Sequence, residues 1–475
     1  MQRALLLSLI AASYLLLAGG PRWTLAPLAA VAALAIAIAP RRTRQLPTFT
    51  RSLDLALAAT AVAIAVQIVP LPPVMLAWLS PQARPLRSSL NFVLANPSAW
   101  LPLSIDAAAT AYALGNFTLG VAVFWFARAT FARGGIRQFC RILGFLAAAA
   151  AIVAVVQKAA APRLLMGLVT PDERNASPMG PVLNRNHFGA WLLMTSSVTI
   201  GYITAHLHIH PAYRLRFRAA FKHFITSGAL LSGLGVLAMI AALLMTLSRS
   251  AAVGLGAAAL FAGWLGRSRL RVERTALPAL ATLGGVGILL VAAFIDIEGW
   301  FTRLQHSLGV TAGDGWGRLT IWRESLPIVG DFPLAGTGAG TYSTAMEHYQ
   351  QTRVWIGSMQ KWAHFNNAHS HYVQLAAEGG LLLVVPVMTA VVLLARLGLA
   401  AVRADKGEMF WVRVGAAAGL MGIAVQGIWE VPLVMPANAI LCGTLAGLLL
   451  HRRESSGRPT GADSPLTPDG SSGLA

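Results

Sequence analysis

The sequence predicts an all-α fold, a polytopic membrane helix bundle of about twelve spans with a large outer loop containing short helices. Two compositional facts and one pattern predict it. Of the 475 residues, 56% are hydrophobic and only 12% are charged, about half the charge of an average soluble protein. The mean hydropathy of +0.62 excludes an ordinary soluble enzyme and any fibrous or disordered chain. Apolar runs approaching the roughly 20 residues that cross a bilayer recur at about 4–19, 23–39, 53–70, 107–127, 139–157, 188–206, 225–247, 250–266, 276–295, 380–397, 410–428 and 431–450.

The first run follows Arg3 and has the look of a signal peptide. Gly19-Gly20-Pro21-Arg22 offers no small-x-small cleavage site and a second apolar run follows at once, so it reads as a retained helix. The next loops alternate in charge. Arg41, Arg42, Arg44 and Arg51 follow the second run, and Arg128, Arg133, Arg137 and Arg141 follow the fourth. Arg214, Arg216, Arg218 and Lys222 follow the sixth, and Arg267, Arg269, Arg271 and Arg274 the eighth. Arg396, Arg403, Lys406 and Arg413 lie between the tenth and eleventh, and Arg452, Arg453 and Arg458 come after the last. With Arg3, that side holds 24 of the 37 Lys and Arg but only 7 of the 18 acids. Positive residues mark the cytoplasmic side, so both termini are expected inside. The net charge of +19 is then a topology signal, and no nucleic-acid partner is implied.

Residues 1–453 read as one bundle and 454–475, rich in Ser, Gly, Pro and Asp, as a disordered tail. The outer side carries long segments near 71–106, 158–187 and 296–379. Connections of the last length are functional or disordered, and its Trp, Tyr, His and Gly content argues against disorder. No internal repeat is visible, which weighs against a transporter built from repeated bundles. Cys140 and Cys442 form neither a disulfide framework nor a metal motif.

The polar residues that could carry chemistry gather on the outer side. Asn184-Arg185-Asn186-His187-Phe188 enters the sixth span. An interfacial anchor, with Asn186 as a helix cap, is the plainer reading, but capping needs neither Arg185 nor His187. Ser248-Arg249-Ser250 lies between two spans with almost no loop and no neighbouring acid. Arg249 could snorkel to headgroups. Turned toward the bundle interior, its planar fork would grip phosphate oxygens in pairs. At Gly317–Glu324, helical spacing puts Arg318 and Trp322 on one face with Leu326 near it, a short amphipathic helix against the membrane. Arg323 suits a structural pairing with Glu324 or Asp331, leaving Arg318 as the ligand candidate. Gly336–Tyr342 lacks a following Lys and a preceding strand, so it reads as a tight turn and not a nucleotide loop.

The stretch His364 to Tyr372, running on to Glu378-Gly379-Gly380, is the richest. Its histidines have no His-x-x-x-His spacing, so no metal is expected. A helix starting near Ser370 would put His371, Gln374 and Glu378 on one face. Histidine is the side chain best suited to general-base work near neutral pH, although histidines at headgroup level are the plainer alternative. Asp296 and Glu298 could hold a divalent cation beside a diphosphate, a weaker candidate than the histidine.

These motifs, in this order, resemble the O-antigen ligase and O-antigen polymerase superfamily of bacterial polytopic membrane glycosyltransferases. The resemblance is carried by Asn184–Phe188, Ser248–Ser250, Gly317–Trp322, Pro333–Gly340 and Ala368–Gly379, and covers roughly 180–385. Ser370 stands where the family often has asparagine. The resemblance implies inverting transfer of an oligosaccharide from a polyprenyl diphosphate carrier to a hydroxyl of an acceptor glycan, lipid or protein. The reaction would occur at the periplasmic face of the inner membrane, without nucleotide sugar, cofactor or metal. It implies His369 as catalytic base and Arg249 and Arg318 as the diphosphate grip, with Arg185, His187, His371 and Glu378 in support. A lipid or sugar transporter and a non-catalytic scaffold are the competing classes. The apparent lack of buried acids or mid-span charges argues against the first, and Arg and His gathered on one face argue against the second.

Overall fold

Long runs of Ala, Leu and Val become helices, and their glycines decide which helices touch. The computed structural model of the chain describes residues 1–37, 48–90, 98–171, 177–209, 228–267, 269, 317–353, 355–356, 361–407 and 409–452. The helices in chain order are α1 (Gln2–Leu15), α2 (Leu25–Ala37), α3 (Arg51–Val66), α4 (Pro73–Leu79) and α5 (Ala83–Ser89). Then come α6 (Ala107–Ala132), α7 (Ile136–Ala160), α8 (Arg185–Ile209), α9 (Gly228–Met245) and α10 (Arg249–Gly266). The last are α11 (Arg318–Asp331), α12 (Tyr342–Tyr349), α13 (His371–Ala404), α14 (Phe410–Gln426) and α15 (Pro436–Leu450). The strands are two short antiparallel pairs, β1 (Pro70–Leu71) with β2 (Leu101–Pro102) and β3 (Trp355–Ile356) with β4 (Lys361–Trp362).

Eleven of the expected spans coincide with helices; the expected span 276–295, the acid pair Asp296 and Glu298, and the tail 454–475 lie outside the described residues. Among the described residues, five helical stretches are long and apolar enough to cross a membrane: Thr48–Val66, Ala107–Ala132, Ile136–Ala160, Arg185–Leu207 and His371–Ala404. Five more apolar helices are shorter. One is α15, expected from 431 but starting at Pro436 after a 3-10 turn at Pro432–Val434. Proline suits that first helical position, and the residues before it are left as an outer loop.

The centre of the bundle is α14, packed against α8 on one side and α10 on another. Small residues let the backbones meet. A Cβ on Gly415 would come within 2.5 Å of the Ser197 carbonyl, and one on Gly254 within 2.7 Å of the Gly422 carbonyl. Helices in lipid gain little from the hydrophobic effect and associate through such close contacts. By contrast α13 turns most of its surface outward, with Leu381, Val385, Val391 and Val392 exposed, as suits a helix at the bundle edge facing lipid.

A second apolar core sits beyond the outer ends of the helices. Leu76, Leu86 and Leu103 pack there with Ile321, Ile328, Phe332, Tyr342, Met346 and Phe365, so the described parts of the segments 71–106 and 317–371 fold together. Gln67, fully buried after α3, ties this cap to the bundle. Its amide donates to the Ala335 and Glu378 carbonyls at 2.7 and 3.0 Å, and its oxygen accepts from the Ala339 amide at 3.0 Å.

The face of α11 that packs against the cap is Ile321, Ser325 and Ile328, while Leu319 and Leu326 are exposed on another face. Arg323 does not pair with the nearby acids: Glu324 accepts from the Gln351 and Thr352 amides, and Asp331 from the Tyr349 hydroxyl. The expected span 380–397 is the lower part of a longer helix, broken at Gly380 with φ 51° and ψ −159°. The chain at 333–336 runs into this break, and the Leu381 and Leu382 amides donate to the Pro333 and Leu334 carbonyls, both at 2.9 Å.

Candidate active site

The outer ends of α8, α10, α11, α13 and α14 converge. At α8, Asn184 Oδ1 accepts from the Asn186 amide at 2.8 Å, so the capping role expected of Asn186 falls to Asn184. Asn186 instead donates from its side chain to Glu430 Oε2 at 2.5 Å. The next residue, His187, is buried, and its Nδ1 makes no hydrogen bond among the described residues. Two residues on, Gly189 leaves room for the α9–α10 turn: a Cβ there would lie 2.8 Å from Ala251 Cβ and 3.6 Å from Ser248 Cβ. Ser248 caps α10, accepting from the Ala251 amide at 3.4 Å, and Arg249 is the first residue of that helix.

The histidine segment is pinned from both sides. Trp322 Nε1 donates to the Ala368 carbonyl at 2.8 Å, and the Ala368 amide donates to Gln374 Oε1 at 3.2 Å. Asn367 Oδ1 accepts from the His369 amide at 3.1 Å, a local turn that asparagine favours. His369 itself has φ 47°, left-handed backbone that a non-glycine residue adopts only when its surroundings enforce it. Ser370 then caps α13, accepting from the Val373 amide at 3.4 Å. Serine and asparagine are equally good caps, so serine at this position keeps the helix start. The helix begins at His371, as the pattern predicts.

Glu430 lies at the centre, in the loop between α14 and α15, with no exposed side-chain surface. His369 Nδ1 is 3.2 Å from its Oε1, and Arg318 Nη2 is 3.8 Å from its Oε2. Burial pushes this carboxyl up. The hydrogen bond and charge of His369, with His187 and Arg318 adding theirs, outweigh burial and hold it down at about 2. It is therefore ionised at neutral pH and accepts from a proton on His369 Nδ1. When the ring is neutral with its proton on Nδ1, Nε2 is the acceptor nitrogen, on the side of the ring away from the carboxylate. The His369 and Arg318 side chains remain about one-third exposed, whereas Glu430 beneath them is sealed. Arg318 Nε is buried and makes no hydrogen bond among the described residues, so a donor of its fork is not used by the protein.

The structure thus joins His369, Arg318 and Asn186 through one carboxylate, with His187 beside them. Arg185 opens α8 and Arg249 opens α10 at the same end of the bundle. His371 serves the loop that carries Glu430. Its backbone amide donates to the Gly427 carbonyl at 2.8 Å, and its Nε2 accepts from the Leu433 amide at 2.9 Å. With that nitrogen engaged, its ring is a poor base. Glu378 does share a face with Gln374, whose amide donates to it at 3.0 Å, but it also accepts from the Gly340 and Tyr342 amides at 2.9 and 3.0 Å. It holds the glycine turn. Sequence reasoning missed Glu430 altogether; its one signal was an acid set among Ile428, Trp429, Val431 and Pro432 between two outer helix ends.

No curated protein matches the chain. A family model does, over a segment that contains Arg249, Arg318 and His369 but neither Asn186 nor Glu430. Residues 234–388 match the family described as O-Antigen ligase, and this match supports the membership in the O-antigen ligase and polymerase superfamily that the ordered motifs imply.

Proposed function

We propose that the protein transfers an oligosaccharide from a polyprenyl diphosphate carrier to an acceptor hydroxyl at the periplasmic face of the bacterial inner membrane. The family match supports a glycosyl-transferring enzyme of the ligase or polymerase type. The observation that carries the mechanism is the contact between His369 Nδ1 and the ionised Glu430. Glu430 fixes the imidazole and stabilises the imidazolium that forms when Nε2 takes the acceptor proton, the logic by which a buried acid serves a histidine base. The acceptor oxygen bonds to the anomeric carbon as the bond from that carbon to the diphosphate oxygen breaks. The electron pair leaves with the diphosphate, and attack from the opposite face inverts the carbon. Arg318 and Arg249 would hold the departing charge through paired N–H donors. A diphosphate leaves readily, so the step needs no metal.

The test is single-turnover transfer from a lipid-linked oligosaccharide by purified protein. His369→Ala should bind the donor as the wild type does, yet lose transfer, and chelator should leave the wild type active. Full transfer by His369→Ala would end the reading. Loss in chelator, restored by magnesium, would move the chemistry to Asp296 and Glu298.

A further inference from the structure

The opposite end of the bundle holds a cavity of about 510 Å³ between α13, α15 and the residues before α3. One wall is Leu397, Ala400, Ala401 and Ala404, successive positions on one face of α13. Those seven residues of rise span roughly 10 Å, and three alanines among them leave a shallow apolar channel. Its upper floor is closed by a buried charge lock. Arg413 Nε donates to Asp405 Oδ2 at 2.8 Å, and its other nitrogens donate to the Leu449 and His451 carbonyls. His451 completes the lock by donating from Nδ1 to the Leu448 carbonyl at 2.6 Å. The Arg413 charge is spent inside the protein.

Arg452 is different. It lines the same cavity, is exposed, and lays its guanidinium over the Phe49 ring at 3.8 Å, with no acid in ion-pair reach among the described residues. With Asp405 cancelling Arg413, the lining carries one net positive charge at the mouth of an apolar channel. We propose that this cavity binds a phospholipid with an anionic headgroup, its phosphate on Arg452 and one acyl chain along Leu397–Ala404. Basic pockets between helices on the cytoplasmic side recognise such headgroups, and a basic residue near the surface adds about 1 kcal/mol to that attraction. The site rests on the orientation proposed above, but its binding is measured without it.

The full chain, purified in detergent, would be titrated with phosphatidylglycerol or phosphatidylcholine and the retained lipid read by native mass spectrometry. Phosphatidylglycerol should bind about fivefold more tightly than phosphatidylcholine, the factor that about 1 kcal/mol of attraction from one basic residue gives. Arg452→Glu should abolish that preference, with Arg452→Gln as the milder variant should the first not fold. Ala400→Trp, which fills the channel, should weaken both lipids. Arg403→Glu makes the same charge change on the exposed side of α13, away from the cavity, and should change little. Equal retention of the two lipids overturns the site. So does normal binding by Ala400→Trp, or an Arg403→Glu loss as large as that of Arg452→Glu, which would reveal diffuse attraction only. Reporter fusions separate a wrong orientation from a wrong site, since the titration is indifferent to sidedness.

Discussion

His369 Nδ1 lies 3.2 Å from Glu430 Oε1 across 61 residues of sequence, and that carboxylate is also the acceptor for Asn186 and the counter-charge for Arg318. One buried acid therefore organises the base, one of the proposed phosphate ligands and the start of α8.

Glu430→Gln tests this directly, because it keeps the shape and removes the charge. Transfer should fall by roughly 10²–10⁴-fold, the range lost when a histidine base loses its orienting acid. Donor binding should stay near normal, since Arg249 and Arg318 remain. Near-normal transfer, or a transfer loss fully explained by lost donor binding, would reduce Glu430 to a structural role.

Arg318→Lys and Arg249→Lys keep the charge and lose the planar fork. Each should reduce turnover by tenfold or more, although the change is formally conservative. The check is steady-state transfer with donor binding measured separately. Near-normal turnover in both variants would remove the arginines from the diphosphate site.

Stability should depend on pH through Glu430. Its carboxyl is held down at about 2 in the folded protein, against about 4.3 in an unfolded chain. The stabilisation is fully present above about pH 4.3 and is lost as pH falls toward 2, with a size of about 3 kcal/mol. Thermal unfolding in detergent between pH 6 and pH 2 should show wild type losing its advantage over Glu430→Gln. Parallel curves would contradict the depressed carboxyl.

Orientation is checked by reporter fusions. A reporter after Arg453 should read as cytoplasmic and one near Gln350 as periplasmic, following the excess of Lys and Arg on one set of loops. A periplasmic reading after Arg453 would invert the whole assignment.

Helix positions were legible because membrane spanning demands long apolar runs, and the start of α13 was legible because Ser370 is a good cap set before a helical face. What stayed hidden depends on segments far apart. The break at Gly380 exists because residues 333–336 insert there, with the Gly336 amide nitrogen 2.7 Å from where a Cβ would stand. Nothing local to Gly379-Gly380 announces that. Glu430 was hidden for the same reason: it lies 244 residues from Asn186 and 112 from Arg318, and its environment is apolar in sequence and polar only in space. His371 and Glu378 were correctly placed on a helix, but the loop at 427–433 and the glycine turn claim their polar atoms.

The central helix is also one of the last to be made. During synthesis α8 and α10 emerge long before α14, which must then slot between them through glycine contacts that tolerate no added methyl group. Until it does, the loop after it cannot deliver Glu430 to His369. A nascent chain stalled before residue 410 would already hold every arginine proposed for the diphosphate, yet its base would be unoriented. The contact between His369 and Glu430 therefore waits on one of the last helices of the chain to be made.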